Sequence, residues 1–75
     1  MPKKATLSRS AAAINRAMHP AEVAALLAAY EMYPRSYYYV ITDEHTGKPR
    51  NIEHATAAQI LACRGLIPPQ LEQSA

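Results

Sequence analysis

Apolar residues recur along this chain with two different periods. Leu7, Ala11, Ile14 and Met18 are spaced by four, three and four, which sets them on one face of a helix. Ser8 or Ser10 is placed to cap its start, because a short hydroxyl can accept from the free first-turn N–H groups. Pro20 disfavours helical geometry at His19 and itself suits a first helical position. The pattern therefore predicts a helix ending near Met18 and a second from about Pro20 to Met32. One helix kinked at Pro20 is the alternative. In the second helix Val23, Leu26, Leu27 and Tyr30 form the apolar stripe, and Glu22 in the first turn complements the helix dipole. Ala24, Ala25, Ala28 and Ala29 make the other face, open to close approach by the first helix or by a second subunit. Pro34 ends the helix.

The period then shortens to two. Tyr37–Thr42 is β-branched and aromatic and reads as a strand. Asp43–Lys48 reads as a turn with Gly47 at positive φ, and Lys48–Glu53 as a return strand that Pro49 restricts to a sheet edge. A two-residue Thr46-Gly47 loop puts Ile41 opposite Ile52 and Asp43 opposite Arg50. A four-residue loop is expected to put Tyr37 opposite Ile52 and Tyr39 opposite Arg50. The registers differ by an even step, so both leave Tyr37, Tyr39, Ile41 and Ile52 on one face, the expected core face. Tyr38 is expected outside. Thr56-Ala57-Ala58-Gln59 reads as a capping box opening a last helix through Ile60, Leu61 and Cys63. Gly65 stops that helix, Leu66-Ile67 folds back over its end, and Pro68 and Pro69 prevent continuation.

These elements give an α+β fold of two N-terminal helices, a β-hairpin and a C-terminal helix (ααββα) packed on one hairpin face. The expected organisation is a flexible basic tail over 1–5, one small domain over 6–69 and a frayed tail over 70–75. A chain of 75 residues is near the lower limit for an independent core. Fifteen alanines inflate its 49% hydrophobic content, and thirteen Leu, Ile and Val residues must supply most of the bulk. Doubly wound domains and α/β barrels are excluded by length, and a disulfide framework by the single Cys63. A two-stranded sheet is marginal alone, so helices must cover it, and a second subunit making a homodimer could extend it.

Charge is uneven although the net is only +2. Lys3, Lys4, Arg9 and Arg16 crowd the first twenty residues without an acid. With Lys48 and Arg50 at the hairpin they are the residues that would contact phosphates in a small DNA- or RNA-binding regulator. A helix-turn-helix tried over Thr56–Gln70 fits poorly, because Pro68 and Pro69 crowd its second helix. No apolar run reaches the length of a membrane span, and Lys3 and Lys4 are followed by no signal-peptide core. With the lone thiol, this reads as an intracellular, cytoplasmic protein without a membrane partner.

All five aromatics are tyrosines within ten residues: Tyr30, Tyr33, Tyr37, Tyr38 and Tyr39. Tyr and Arg offer large rigid area with polar tips and are enriched at binding hot spots. Tyr30, Tyr37 and Tyr39 are expected in the core. Tyr33, Arg35, Tyr38 and Arg50 are the candidate contact residues. His45, His54 and Cys63 are spaced evenly but lack a paired-ligand motif, so no metal is expected; surface histidines and a buried thiol explain them. One Asp, no Ser or Cys nucleophile beside a histidine and two glycines argue against catalysis and against a cofactor cradle. The leading reading is a small non-enzymatic binding protein, an inhibitor or adaptor docking a Tyr/Arg-rich surface on a larger protein or complex. Its size is that of phage and plasmid accessory proteins. The nucleic-acid regulator is the second reading.

Overall fold

In the computed structural model of the protein, residues 7–68 are described. The expected tails over 1–5 and 70–75 lie outside them. The order is α1 (Arg9–Ala17), α2 (Pro20–Met32), β1 (Tyr38–Thr42), β2 (Pro49–Glu53) and α3 (His54–Cys63). This is the expected α+β succession.

The first two helices are separate. Met18 and His19 are both extended, as the residue before a proline favours. Ser8 caps α1, its Oγ accepting from the Ala11 N–H at 3.2 Å. The start of α2 carries a reciprocal cap. His19 Nδ1 accepts from the Ala21 N–H at 3.1 Å, and Glu22 Oε1 accepts from the His19 N–H at 2.8 Å. Glu22 was expected only to complement the helix dipole; it is 1% exposed and part of this cap. Histidine lies outside the usual Ser, Thr, Asp and Asn cap set, so the motif is hidden in the sequence.

The hairpin carries a third register, between the two expected. Tyr39 lies opposite Ile52, Ile41 opposite Arg50, and Tyr38 opposite Glu53. The Asp43 N–H donates to the Lys48 carbonyl at 2.8 Å, and the Gly47 N–H donates to the Asp43 carbonyl at 2.7 Å. A four-residue loop, Glu44–Gly47, thus joins Asp43 to Lys48, and the pairs fall two positions from each expectation. That even step keeps the faces: Tyr39, Ile41 and Ile52 are buried, while Tyr38 and Val40 are exposed. Gly47 has the positive φ, 75°, that the loop requires.

Tyr37 does not join the core. It is 90% exposed. Its carbonyl accepts from the His54 N–H at 2.8 Å, which continues the ladder, but opposite it β2 has already turned into α3. The covered face ends there, and the side chain projects past it.

The same contact corrects the last helix. Helix α3 starts at His54, directly after β2, with Glu53 at the cap position and no side-chain cap bond. Thr56 is therefore inside the helix and no capping box forms with Gln59. The ladder bond from His54 to Tyr37 occupies one of the first-turn N–H groups instead. Gln59 Oε1 accepts from the Ser8 N–H at 2.8 Å, tying α3 to the start of α1. At the other end of α1, Arg64 donates to Asn15 Oδ1 at 2.7 Å and to the Asn15 carbonyl at 3.0 Å. Gly65, at φ 75°, closes α3 as expected: its N–H donates to the Ala62 carbonyl and that of Leu66 to the Leu61 carbonyl. Ile67 then packs on the core, while Leu66 stays exposed.

The core is thin. Leu26, Ile52, Ile60 and Leu61 are its fully buried large apolar side chains, with Met18, Val23, Tyr39, Ile41 and Ala57 around them. Burying each such Leu or Ile is worth roughly 1.5–3 kcal/mol. Helix α2 packs mainly on β1, α3 lies across both strands, and α1 rests on α3. Helix α1 does not touch α2, so the expected use of the α2 alanine face against the first helix is not found; Ala24, Ala25 and Ala28 are exposed.

Candidate functional site

Where α2 runs out and β1 begins, the tyrosines divide into two layers. The inner layer is Tyr30, Tyr39 and His54. Ring centroids lie 5.7 Å apart for Tyr30 and Tyr39, 5.3 Å for Tyr30 and His54, and 6.0 Å for Tyr39 and His54. Burial pushes the Tyr39 phenol above its ordinary range, the neighbouring Tyr30 adding to it. The phenol stays an O–H donor and gives its hydrogen to the Tyr33 carbonyl at 2.5 Å.

The outer layer is Tyr33, Tyr37 and Tyr38, at 61%, 90% and 55% exposure. Met32 and Val40 are also exposed, and Arg35 stands in the turn between them. The backbone under this surface is tied down. The Tyr33 carbonyl accepts from the Ser36 N–H at 3.1 Å as well as from Tyr39, and Ser36 Oγ donates to the Tyr38 carbonyl at 2.7 Å. The outer rings thus project from a loop whose shape is held by its own hydrogen bonds.

Of the four candidate contact residues, Tyr33, Arg35 and Tyr38 lie exposed within the short stretch from the end of α2 to the first residue of β1, and Arg50 is set apart. Arg50 lies opposite Ile41 on the covered face of the hairpin, and its guanidinium pairs with Asp43 at 2.5 Å. Its side chain is 25% exposed. The pair belongs to a polar cluster at the hairpin turn. Glu22 Oε2 reaches from α2 to accept from the Glu44 N–H at 2.6 Å, and Asp43 Oδ1 accepts from the His45 N–H at 2.7 Å. The bonds from Glu44 and His19 hold the Glu22 carboxyl below its ordinary range against the cost of burial. The Arg50 bond, then those from His45 and Thr46, do the same for Asp43. The role of Glu22 was missed in the sequence; the available signal was a glutamate two residues after a helix-opening proline.

The phosphate-contact candidates are scattered. Arg9 and Arg16 are exposed on α1, Lys48 is exposed beside the hairpin loop, and α1 does not pack on the hairpin. Arg50 is engaged by Asp43. Lys3 and Lys4 lie outside the described residues. Cys63 is exposed, not buried as expected. Among the described residues no three His, Cys, Asp or Glu side chains form a group able to hold a metal ion. Among the same residues no helix is long and apolar enough to cross a membrane.

No family model, curated protein or solved structure matches the chain.

Proposed function

We propose that the protein is a small non-enzymatic binding module, an inhibitor or adaptor that docks its tyrosine-rich end on a larger protein. The observation that carries this reading is the exposure of Tyr33, Tyr37 and Tyr38 together beside Arg35, on a loop fixed by hydrogen bonds. Three large aromatic side chains left in water by a protein short of core bulk are better explained by a contact than by folding. Steric docking of this kind needs no catalytic group. It needs rigid anchors, and Arg35 supplies a cation for a carboxylate on the partner. Arg50 leaves the contact set in this reading, because its charge is already spent on Asp43. The lone thiol of Cys63 supports a reducing compartment.

Affinity capture from the native host tests the reading. The wild-type chain is expected to retain one protein in stoichiometric amount, with recovery lost in Tyr38→Ala and in Arg35→Ala and kept in Arg50→Ala. Loss of one such anchor costs on the order of 2 kcal/mol, about thirtyfold in affinity. Equal recovery by all four proteins overturns the assignment. Retention of nucleic acid instead, weakening steeply with salt and with Arg9→Ala or Arg16→Ala, would establish the DNA- or RNA-binding reading.

A further inference from the structure

The hairpin has two open edges, and they are unlike. The bonds from Asp43 to Lys48 and from His54 to Tyr37 fix which residues of the ladder face inward. Alternating from them, Tyr39 and Ile41 exchange bonds with Ile52 and Arg50, while the N–H and C=O groups of Tyr38, Val40 and Thr42 point away from β2. On β2 the outward-pointing residues are Pro49, Asn51 and Glu53, where a missing N–H and a charge blunt the edge. The β1 edge has neither. The Tyr38 carbonyl already accepts from Ser36 Oγ at 2.7 Å, so the free ladder of β1 is Val40 and Thr42, both exposed.

Helix α2 decides what can occupy this edge. It packs on β1 and not on β2, and it runs antiparallel to β1, with Tyr30 against Tyr39 and Glu22 against Glu44. Take the covered face toward the viewer and β1 running upward. Tyr39 and Ile41 then face the viewer and bond to β2, which by L-chirality lies on the right. The right-handed α2 descends above β1 with Leu26 and Tyr30 turned to the sheet. It therefore points Leu27 right, toward α3, and Ala25 and Ala29 left, over the open edge. A second copy paired there would drive its own α2 into the first. A lone extended strand brings no helix, and above it on that flank are the methyl groups of the exposed Ala25 and the half-buried Ala29.

We infer that the β1 edge takes an extended segment of another protein, added antiparallel as a third strand at Val40 and Thr42. Antiparallel pairing gives each of these residues an exchanged pair of bonds. Segment side chains opposite Tyr39 and Ile41 turn to the covered face, below Ala25 and Ala29. The segment is therefore apolar or β-branched at alternate positions. Charge sets its direction. The exposed Glu44 follows β1 and the exposed Arg35 precedes it, so the segment carries a cation toward its N-terminus and a carboxylate toward its C-terminus. The product is a three-stranded sheet, past the two-stranded size that is marginal alone. The edge adjoins the tyrosine end, but the inference does not rest on the docking reading, which uses side chains only.

Selection of phage-displayed random peptides on the full chain tests this, with binding of the recovered peptides measured by fluorescence polarisation. They are expected to alternate apolar residues, with Lys or Arg early and Asp or Glu late. They are expected to slow amide exchange at Val40 and Thr42 and not at Asn51. Val40→Pro removes an N–H that the hairpin does not use, as Pro49 already does on the other strand. It is expected to fold, by circular dichroism, and to weaken the peptides about tenfold. Should Val40→Pro fail to fold, the peptide itself is altered. Methylating the backbone nitrogen of its residue opposite Val40 is expected to abolish binding, and methylating the next nitrogen is not. Peptides indifferent to both changes overturn the inference, as does a selection that recovers none. Peptides weakened by Tyr33→Ala and Tyr37→Ala but indifferent to Val40→Pro overturn it and leave the docking reading standing. The reverse result supports it without that reading.

Discussion

The two ends of α2 meet the hairpin in opposite ways. At its start, the buried Glu22 joins the helix to the hairpin through polar bonds: the helix cap and the Glu44 N–H, with the Asp43–Arg50 pair beside them. At its end, Tyr33 and the residues after it leave three aromatic rings largely in water. A chain of this length would be expected to bury its largest apolar groups first. Here a carboxylate is buried and tyrosines are spent on the surface. A group costly to bury is retained where its bonds join two elements, and groups cheap to bury are left out where a surface is wanted. The turn end therefore reads as the fastening of the fold, and the tyrosine end as the surface proposed to dock.

Removing the fastening should produce the largest effect. Glu22→Ala deletes the acceptor for two backbone N–H groups and leaves the half-buried Glu44 N–H without its partner. Bonds to a charged group contribute roughly 1.5–3 kcal/mol each, so a loss of about 3 kcal/mol in denaturant unfolding is expected. Tyr38→Ala, at the other end, should cost less than about 0.5 kcal/mol, as exposed substitutions do. Comparable losses at the two ends would erase the distinction between fastening and surface.

Acid should loosen the turn end selectively. The carboxyls of Glu22 and Asp43 are both held below their ordinary range in the folded state. Below the ordinary carboxylate range the unfolded chain therefore binds more protons than the folded one. The stability these groups contribute is complete above that range and is lost as pH falls through their lowered values. Unfolding followed from neutral pH down into strong acid should show this decline, with a shallower slope in Glu22→Gln. An unchanged slope in that variant would mean that Glu22 does not couple folding to protons.

Most of the scaffold was legible in the sequence because it rests on local rules. Pro20 separates two helices, Gly65 closes the last one, and period-two alternation fixes which hairpin residues face inward. What escaped depends on contacts distant in sequence. Thr56-Ala57-Ala58-Gln59 has the form of a capping box, but α3 begins three residues before the start it implies, because the His54 N–H continues the strand ladder to Tyr37. Gln59 is drawn instead to Ser8. Asp43 and Arg50 were expected to face each other in one of the two registers; they do pair, but diagonally, because Arg50 lies opposite Ile41 and Asp43 opposite Lys48. The candidate contact set was legible as a composition, a run of tyrosines with an arginine. Its division into inner and outer layers required the register and the place where β2 ends.

A side-chain bond from Tyr39 to Tyr33 links the inner layer to the outer one, and cutting it should have an intermediate effect. Tyr39→Phe keeps the ring in the core and removes the O–H that the Tyr33 carbonyl accepts. That carbonyl still has the Ser36 N–H, so the expected loss is about 1 kcal/mol. The more informative reading is at the surface. If the bond orders the loop for docking, Tyr39→Phe should weaken partner capture although Tyr39 is itself buried. A variant with full capture would show that the loop needs only the Ser36 bonds.

The smallest effect on stability is expected at Tyr37, where pattern and structure disagree. Alternation from Tyr39 and Ile41 assigns Tyr37 to the covered face, and a tyrosine there would cost roughly 3–5 kcal/mol on truncation, as large aromatics in cores do. At 90% exposure it has almost no burial to lose. Its backbone carbonyl, the part that holds His54, survives any side-chain change. Tyr37→Ala should therefore leave the unfolding midpoint within about 0.5 kcal/mol of wild type. It should still weaken capture, since the ring is the most exposed of the three outer tyrosines. A large loss of stability would restore Tyr37 to the core and shrink the proposed docking surface to Tyr33 and Tyr38. A change in neither measurement would remove Tyr37 from fold and surface alike.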